Sequence, residues 1–248
     1  MEILIGLLIG FAIGTTGVGG GTLTAPALIL ILGFTPRTSV ATALIFSATV
    51  KLSAVAIYAW KSQVKYRVLT YLLLGGVSGA VVGSLVIEHF RSGRSEAWVL
   101  LIVGLTITAS AIAGLVVRPK IQRNAEYKSS FLLPPAFAIG IETGFSSAGA
   151  GALGSLLLLN FTNLSPAAVV GTDLSFGLIT SASGGIVHAF AGGCNCTVLA
   201  NLVPAGMVGT FAGAMVSHRL PSRALRVAIL VCAALVGVLL CVISVRQL

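Results

Sequence analysis

From Ala97 to Val117 the chain runs twenty-one residues without a charged side chain. A helix of that length covers roughly 30 Å, the thickness of a bilayer's hydrocarbon core. Apolar runs of similar length, nearly free of charge, recur at about 38–60, 67–88, 167–190, 198–217 and 224–245. Only 8% of the 248 residues are charged, too few to cover a soluble core of this size. The reading is an all-α polytopic membrane protein. Thirty glycines and few aromatics favour closely packed and broken helices over a single-span anchor. The net charge of +9 reads as basic cytoplasmic loops, with no nucleic-acid partner. Glu2 stands where a signal peptide would carry lysine or arginine, so the first apolar run is not read as one.

Sliding the sequence against itself by 130 residues aligns it without a gap. Pro36, Val40, Thr42, Leu44 and Phe46 fall on Pro166, Val170, Thr172, Leu174 and Phe176. Gly76, Gly79 and Gly83 fall on Gly206, Gly209 and Gly213. The expected organisation is a first repeat at 1–117, a polar linker at 118–130 and a second repeat at 131–248. Each repeat opens with two short apolar pieces, at about 3–14 and 22–32 and again at 131–145 and 150–161, and continues with three full spans. The short pieces reach roughly 18 Å, too little to cross a bilayer alone.

Loop charge orients the repeats. If each short pair is re-entrant, each repeat crosses three times and the two repeats are inverted. One side then holds Lys61, Lys65, Arg67, Arg118, Lys120, Arg123, Lys128, Arg219, Arg223 and Arg226, and the other only Arg37, Arg91, Arg94 and Arg246. If each pair is one broken span, the repeats are parallel and the split is eight to six. The positive-inside rule prefers the first arrangement, with the linker cytoplasmic and both termini outside.

Between the short pieces stands TTGVGGGT, Thr15 to Thr22, matched in the second repeat by TGFSSAGAG, Thr143 to Gly151. A helix that breaks at membrane depth leaves backbone groups unpaired, which is tolerated only inside protein or beside a wet cavity. Glycine permits the backbone such a break needs. The half-helix that follows presents free N–H groups and the positive end of its dipole, a ready site for an anion. Two such ends at matching repeat positions fit a midplane substrate site in a transporter. The candidate substrate-binding residues are Thr15, Thr16, Gly17, Gly19, Gly20, Gly21 and Thr22 at the first break and Ser146, Ser147, Gly149 and Gly151 at the second.

Ionisable residues inside a span default to a functional reading. Lys51 is a candidate for positive charge along an anion path, for an ion pair with Asp173, or for a snorkelling side chain. Asp173 and Glu142 are candidates for a coupling proton, for helix capping or for pairing with a base. His188 reads more simply as a structural histidine, and the Gly76, Gly79, Gly83 pattern as a close-packing face. Cys194 and Cys196 lie in one short loop, where a bridge across one residue would be strained. No cofactor or metal is expected, no catalytic motif is present, and the protein is not expected to be an enzyme.

The stretch GVGGGTLTAPAL, Gly17 to Leu28, followed by Gly33 through Leu44, resembles the TauE/SafE family of sulfite and organosulfonate exporters. GTDL, Gly171 to Leu174, looks like that family's second-half motif. The resemblance covers essentially the whole chain. It implies secondary transport of small sulfur-containing anions across a bacterial inner membrane. By the family motif Gly17, Gly19, Gly20, Gly21, Pro26 and Thr42 carry over in the first repeat, and Gly149, Gly151 and Thr172 in the second. There Leu156 replaces the expected second proline, so the two breaks are not strictly equivalent. The expected partners are a sulfur oxyanion or sulfonate, the bilayer, a candidate coupling proton and a candidate second copy of the chain. The alternatives are an anion channel of the same architecture, or a membrane assembly or cofactor-handling subunit using Cys194, Cys196 and His188.

Overall fold

The computed structural model of the chain describes residues 2–17, 20–89, 94–116, 129–216 and 222–247. Gly19, residues 118–128 of the expected linker, Arg91 and Arg219 lie outside the described residues. Ten α-helices are described, in the order α1 (Glu2–Thr16), α2 (Gly20–Leu30), α3 (Pro36–Trp60), α4 (Tyr66–His89), α5 (Arg94–Val116), α6 (Leu133–Ser146), α7 (Gly149–Phe161), α8 (Pro166–Phe190), α9 (Cys196–Val216) and α10 (Ser222–Gln247). A short 3-10 turn, Ser129–Leu132, leads into α6. Five described helices, α3, α4, α5, α9 and α10, are long and apolar enough to cross a membrane. With α8 at 25 residues, as long as α3, this is an all-α polytopic membrane protein. The glycines, serines, threonines and Asp173 of α8 make it less apolar, and it lies deep in the bundle.

Local chemistry explains the helix starts and stops. Thr35 and Ser165 cap α3 and α8 through their side-chain oxygens, which accept from the N–H groups of Thr38 and Ala168. Pro36 and Pro166 follow at the first helical positions, where a missing N–H costs nothing. After α3 the chain turns at Ser62 with φ 54°, and after α8 at Gly192 with φ 71°. These two residues occupy matching positions 130 apart. Serine pays for the left-handed backbone that glycine adopts freely. Ser62→Gly is therefore expected to stabilise the protein by about 0.5–1 kcal/mol, read as a higher unfolding midpoint in detergent. An unchanged or lower midpoint would contradict it.

The helices interlock across the two halves of the chain. α1 packs on α9 and α6 packs on α4, so each opening short helix docks on the other half's fourth helix. A side chain at Gly10 would collide with the backbone of Gly206, and one at Gly140 with the backbone of Gly76. Gly79 and Gly209 stand likewise against the backbones of Phe137 and Leu7. All these contacts map onto one another under the 130-residue shift. The glycine ridge of α4 and its counterpart on α9 are close-packing faces. In lipid, where hydrophobic burial drives helix association little, backbone approach of this kind supplies dispersion contact.

Side-chain bonds tie the ends of the bundle. Asn201 donates to Glu2 at 2.6 Å, Arg37 reaches the carboxylate of Glu88, and Ser244 donates to the carbonyl of Ala97 at 2.5 Å. The start of α1 and the end of α10 thus share one end of the bundle with the α2–α3 and α8–α9 loops. At the opposite end the loop between α3 and α4 meets α8, where the Lys65 N–H donates to the Thr172 hydroxyl at 3.0 Å. The matching bond, from the Asn195 N–H to Thr42 at 3.2 Å, closes the terminus end.

Candidate functional site

The first break falls halfway along its neighbour. Gly20, the first residue of α2, lies against Ser47 and Lys51 in the middle of α3, and α2 then runs back to the terminus end where α1 began. Gly17 ends α1 with φ 73°, its N–H donating to the Ile13 carbonyl at 2.8 Å. Ser147 ends α6 in the same way, with φ 63° and its N–H on Thr143. After it, Ala150 and Gly151 are non-helical, and Gly151 at φ 137° lies where a side chain is strained.

The two breaks touch. A Cβ at Gly21 would overlap the carbonyl group of Ser147. Nothing larger than glycine fits there while both breaks keep their places. A side chain at Gly20 would overlap the Ser47 hydroxyl.

Lys51 occupies the centre. It is 3% exposed, so it does not snorkel to an interface. Its Cε lies beside Gly20 and its ammonium beside Gly177 of α8, which also faces Ala150 of the second break. Asp173 lies within electrostatic reach of it. That carboxylate is anchored to α7: Ser155 donates to Oδ2 at 2.5 Å, and Oδ1 lies over Gly154. A lysine from α3, an aspartate from α8 and the start of α2 therefore share one buried region, and the N-terminal dipole of α2 adds positive potential.

Several hydroxyls on these elements are held without a hydrogen-bond partner. The Thr22, Ser47, Ser147 and Ser181 oxygens are buried and unpaired. Such groups are costly to bury and call for an explanation. Ser47 and Ser147 flank the first two residues of α2, while Ser181 lies one turn beyond Gly177 on α8. Neither Ser47 nor Ser181 stood out in the sequence. The available signals were helical spacing, since Ser47 precedes Lys51 by one turn, and the repeat, since Ser181 is the counterpart of Lys51.

Other expected site residues are engaged elsewhere. Thr15 and Thr16 donate to carbonyls of their own helix, at Phe11 and Ala12, and Ser146 donates to Glu142. Thr42 and Thr172 hold the loops at opposite ends of the bundle. Gly149 packs against the Ile139 carbonyl and the Thr143 hydroxyl of α6. Glu142 points toward Ser110 of α5.

At the terminus end stands a buried network that the sequence did not announce. Glu88 bonds Arg37 through one oxygen and His188 Nδ1 through the other, at 2.7 Å in the second case. His188 is fully buried, and its Nε2 faces the carbonyl of Gly144 at 3.3 Å. Both ring nitrogens are thus engaged away from Cys194 and Cys196, whose sulfurs lie 3.9 Å apart in the next loop.

Residues 2–240 match the family described as Sulfite exporter TauE/SafE. Among individual proteins, the chain is similar to the Probable membrane transporter protein YjnA of Bacillus subtilis, 27% identical over 236 residues, covering 90% of this chain and 92% of that one. It is also similar to the Probable membrane transporter protein YunE of the same organism, 23% identical over 243 residues and 89% of each chain. A Probable membrane transporter protein of Xylella fastidiosa (strain Temecula1) is 27% identical over 225 residues, covering 87% of this chain and 83% of that one. No solved structure matches the chain. A family match running through both breaks and nearly every described helix leaves one conclusion, that the chain belongs to the TauE/SafE family and is a multi-pass membrane transporter.

Proposed function

We propose that this protein is a secondary transporter of small sulfur oxyanions or sulfonates, exporting them by alternating access across a bacterial inner membrane. The anion sits between the two breaks. Its positive contacts are the Lys51 ammonium and the N-terminus of α2, and its hydroxyl donors are Thr22, Ser47 and Ser147. The observation that carries this is the burial of Lys51 between Gly20 and Gly177, beside hydroxyls that have no partner in the protein. A buried cation and idle donors facing one region are stabilised when an oxyanion supplies acceptors. The printed family description supplies the sulfur chemistry.

The two halves act as inverted repeats with the basic linker in the cytoplasm. Each short pair enters and returns on its own side, and one repeat rocks against the other about the breaks. Export also follows the membrane potential, because each negative charge leaving a negative-inside cell gains ~2.3 kcal/mol per 100 mV.

The test is anion binding to purified protein by thermal shift, over sulfite, thiosulfate, sulfate, sulfoacetate, taurine and acetate. A sulfur oxyanion is expected to raise the midpoint of the wild type and to leave Lys51→Ala and Gly20→Leu unmoved. A response to no anion, or one that both variants retain, would refute the site.

A further inference from the structure

The Arg37–Glu88–His188 network is not explained by anion binding. It lies at the terminus end, away from Lys51, yet it connects to the second break. Each nitrogen of the His188 ring faces an oxygen acceptor, the Glu88 carboxylate at 2.7 Å and the Gly144 carbonyl at 3.3 Å. A neutral imidazole carries one N–H and can satisfy only one of them, whereas the protonated ring donates to both. Gly144 lies in the last turn of α6, where carbonyls lack helical partners and the negative end of the dipole favours a cation. Ser84 already donates to the same carbonyl at 3.2 Å. Adding a proton to the ring therefore adds a bond between α8 and the element that ends in the second break.

The groups around the ring come from five elements. Arg37 from α3 pairs with Glu88 from α4. α4 also ends in His89, and α6 presents the Gly144 carbonyl and carries Glu142, which points toward Ser110. α7 has no titratable side chain, and Cys194 and Cys196 follow α8 in the loop and at the start of α9. Asp173 lies on α8 itself, but four turns away. The Arg37 and Glu88 side chains are 26% and 11% exposed, which gives the network an opening at the terminus end. The arrangement occurs once, because the counterparts of Arg37 and His188 in the other repeat are Ala167 and Tyr58.

We infer that His188, bridged between Glu88 and the Gly144 carbonyl, is the proton-binding site of the transport cycle, loaded from the terminus end. This rests on the transport reading above. The proton arrives from water as H⁺, occupies the ring, and leaves as H⁺ when α8 and the end of α6 separate. Site and break are coupled because both involve the last turn of α6.

Proteoliposomes test it, with sulfite as the probe near neutral pH, where it is almost wholly anionic and does not cross lipid as the neutral acid while an imidazole can still take a proton. Labelled sulfite exchange, and the proton movement that accompanies net sulfite flux down a gradient, followed with a trapped pH dye, are measured side by side. The wild type is expected to show both. His188→Gln and Glu88→Gln are expected to keep sulfite-for-sulfite exchange and to lose proton movement about tenfold or more. Asp173→Asn and Glu142→Gln serve as rival carriers. Proton movement retained in His188→Gln, or lost only in a rival, would overturn the inference. So would loss of exchange together with proton movement in both network variants, which would make the network structural. Exchange without proton movement in the wild type would overturn this inference alone. No exchange in the wild type would overturn the transport reading and this inference with it.

Discussion

Gly21→Ala is expected to abolish most sulfite exchange, by about tenfold or more, while lowering stability by about 1–3 kcal/mol. The added methyl has no room, because it would overlap the backbone carbonyl group of Ser147. Backbone cannot rotate aside as a flexible side chain can. One of the two breaks must move, and the anion site lies between them. Gly193→Ala is the control, since its methyl would meet neighbours no closer than 3.5 Å. Counterflow in proteoliposomes and thermal unfolding in detergent give the two readouts. Exchange at the wild-type rate in Gly21→Ala would show that the contact between the breaks is dispensable.

Lys51→Met separates charge balance from substrate binding. Removing a buried cation from beside a buried carboxylate typically costs about 3–5 kcal/mol. Lys51→Met is therefore expected to lower the unfolding midpoint sharply and to abolish anion binding. The double variant Lys51→Met/Asp173→Asn removes both charges and is expected to recover most of the stability but none of the binding. That split distinguishes the readings. If the double variant also regains anion response, Lys51 is only the counter-ion of Asp173 and the anion is held by backbone and hydroxyls alone.

Much of the architecture was legible in the sequence, since the bilayer demands long apolar helices. The expected spans agree with the observed helices to within a few residues, and both short pairs are present. Charge depletion, glycine spacing and the 130-residue repeat carried this. The candidate site was legible in part. Gly20 lies against Lys51 and Gly21 against Ser147, and these residues could be picked out because a break and a buried lysine are rare features in an apolar chain. Ser47 and Ser181 were not singled out despite their spacing from Lys51 and the repeat, as serines pack into helix interfaces throughout such proteins. Thr15 and Thr16 lie at the first break, whereas Thr42 and Thr172 hold loops at opposite ends of the bundle, and the hydroxyls of all four serve backbone groups.

The sequence by itself determined that the chain is a bundle of membrane helices with two matching interruptions. Periodicity, charge depletion and internal repetition are local or one-dimensional properties, and the helix lengths and break positions follow from them. Only the tertiary structure decided that α1 docks on α9 and α6 on α4, that Gly21 lies on Ser147, and that Arg37, Glu88 and His188 form one network. Glu88 lies fifty-one residues from Arg37 and one hundred from His188. Such contacts depend on which glycine faces which backbone across the bundle, and no single helix carries that information.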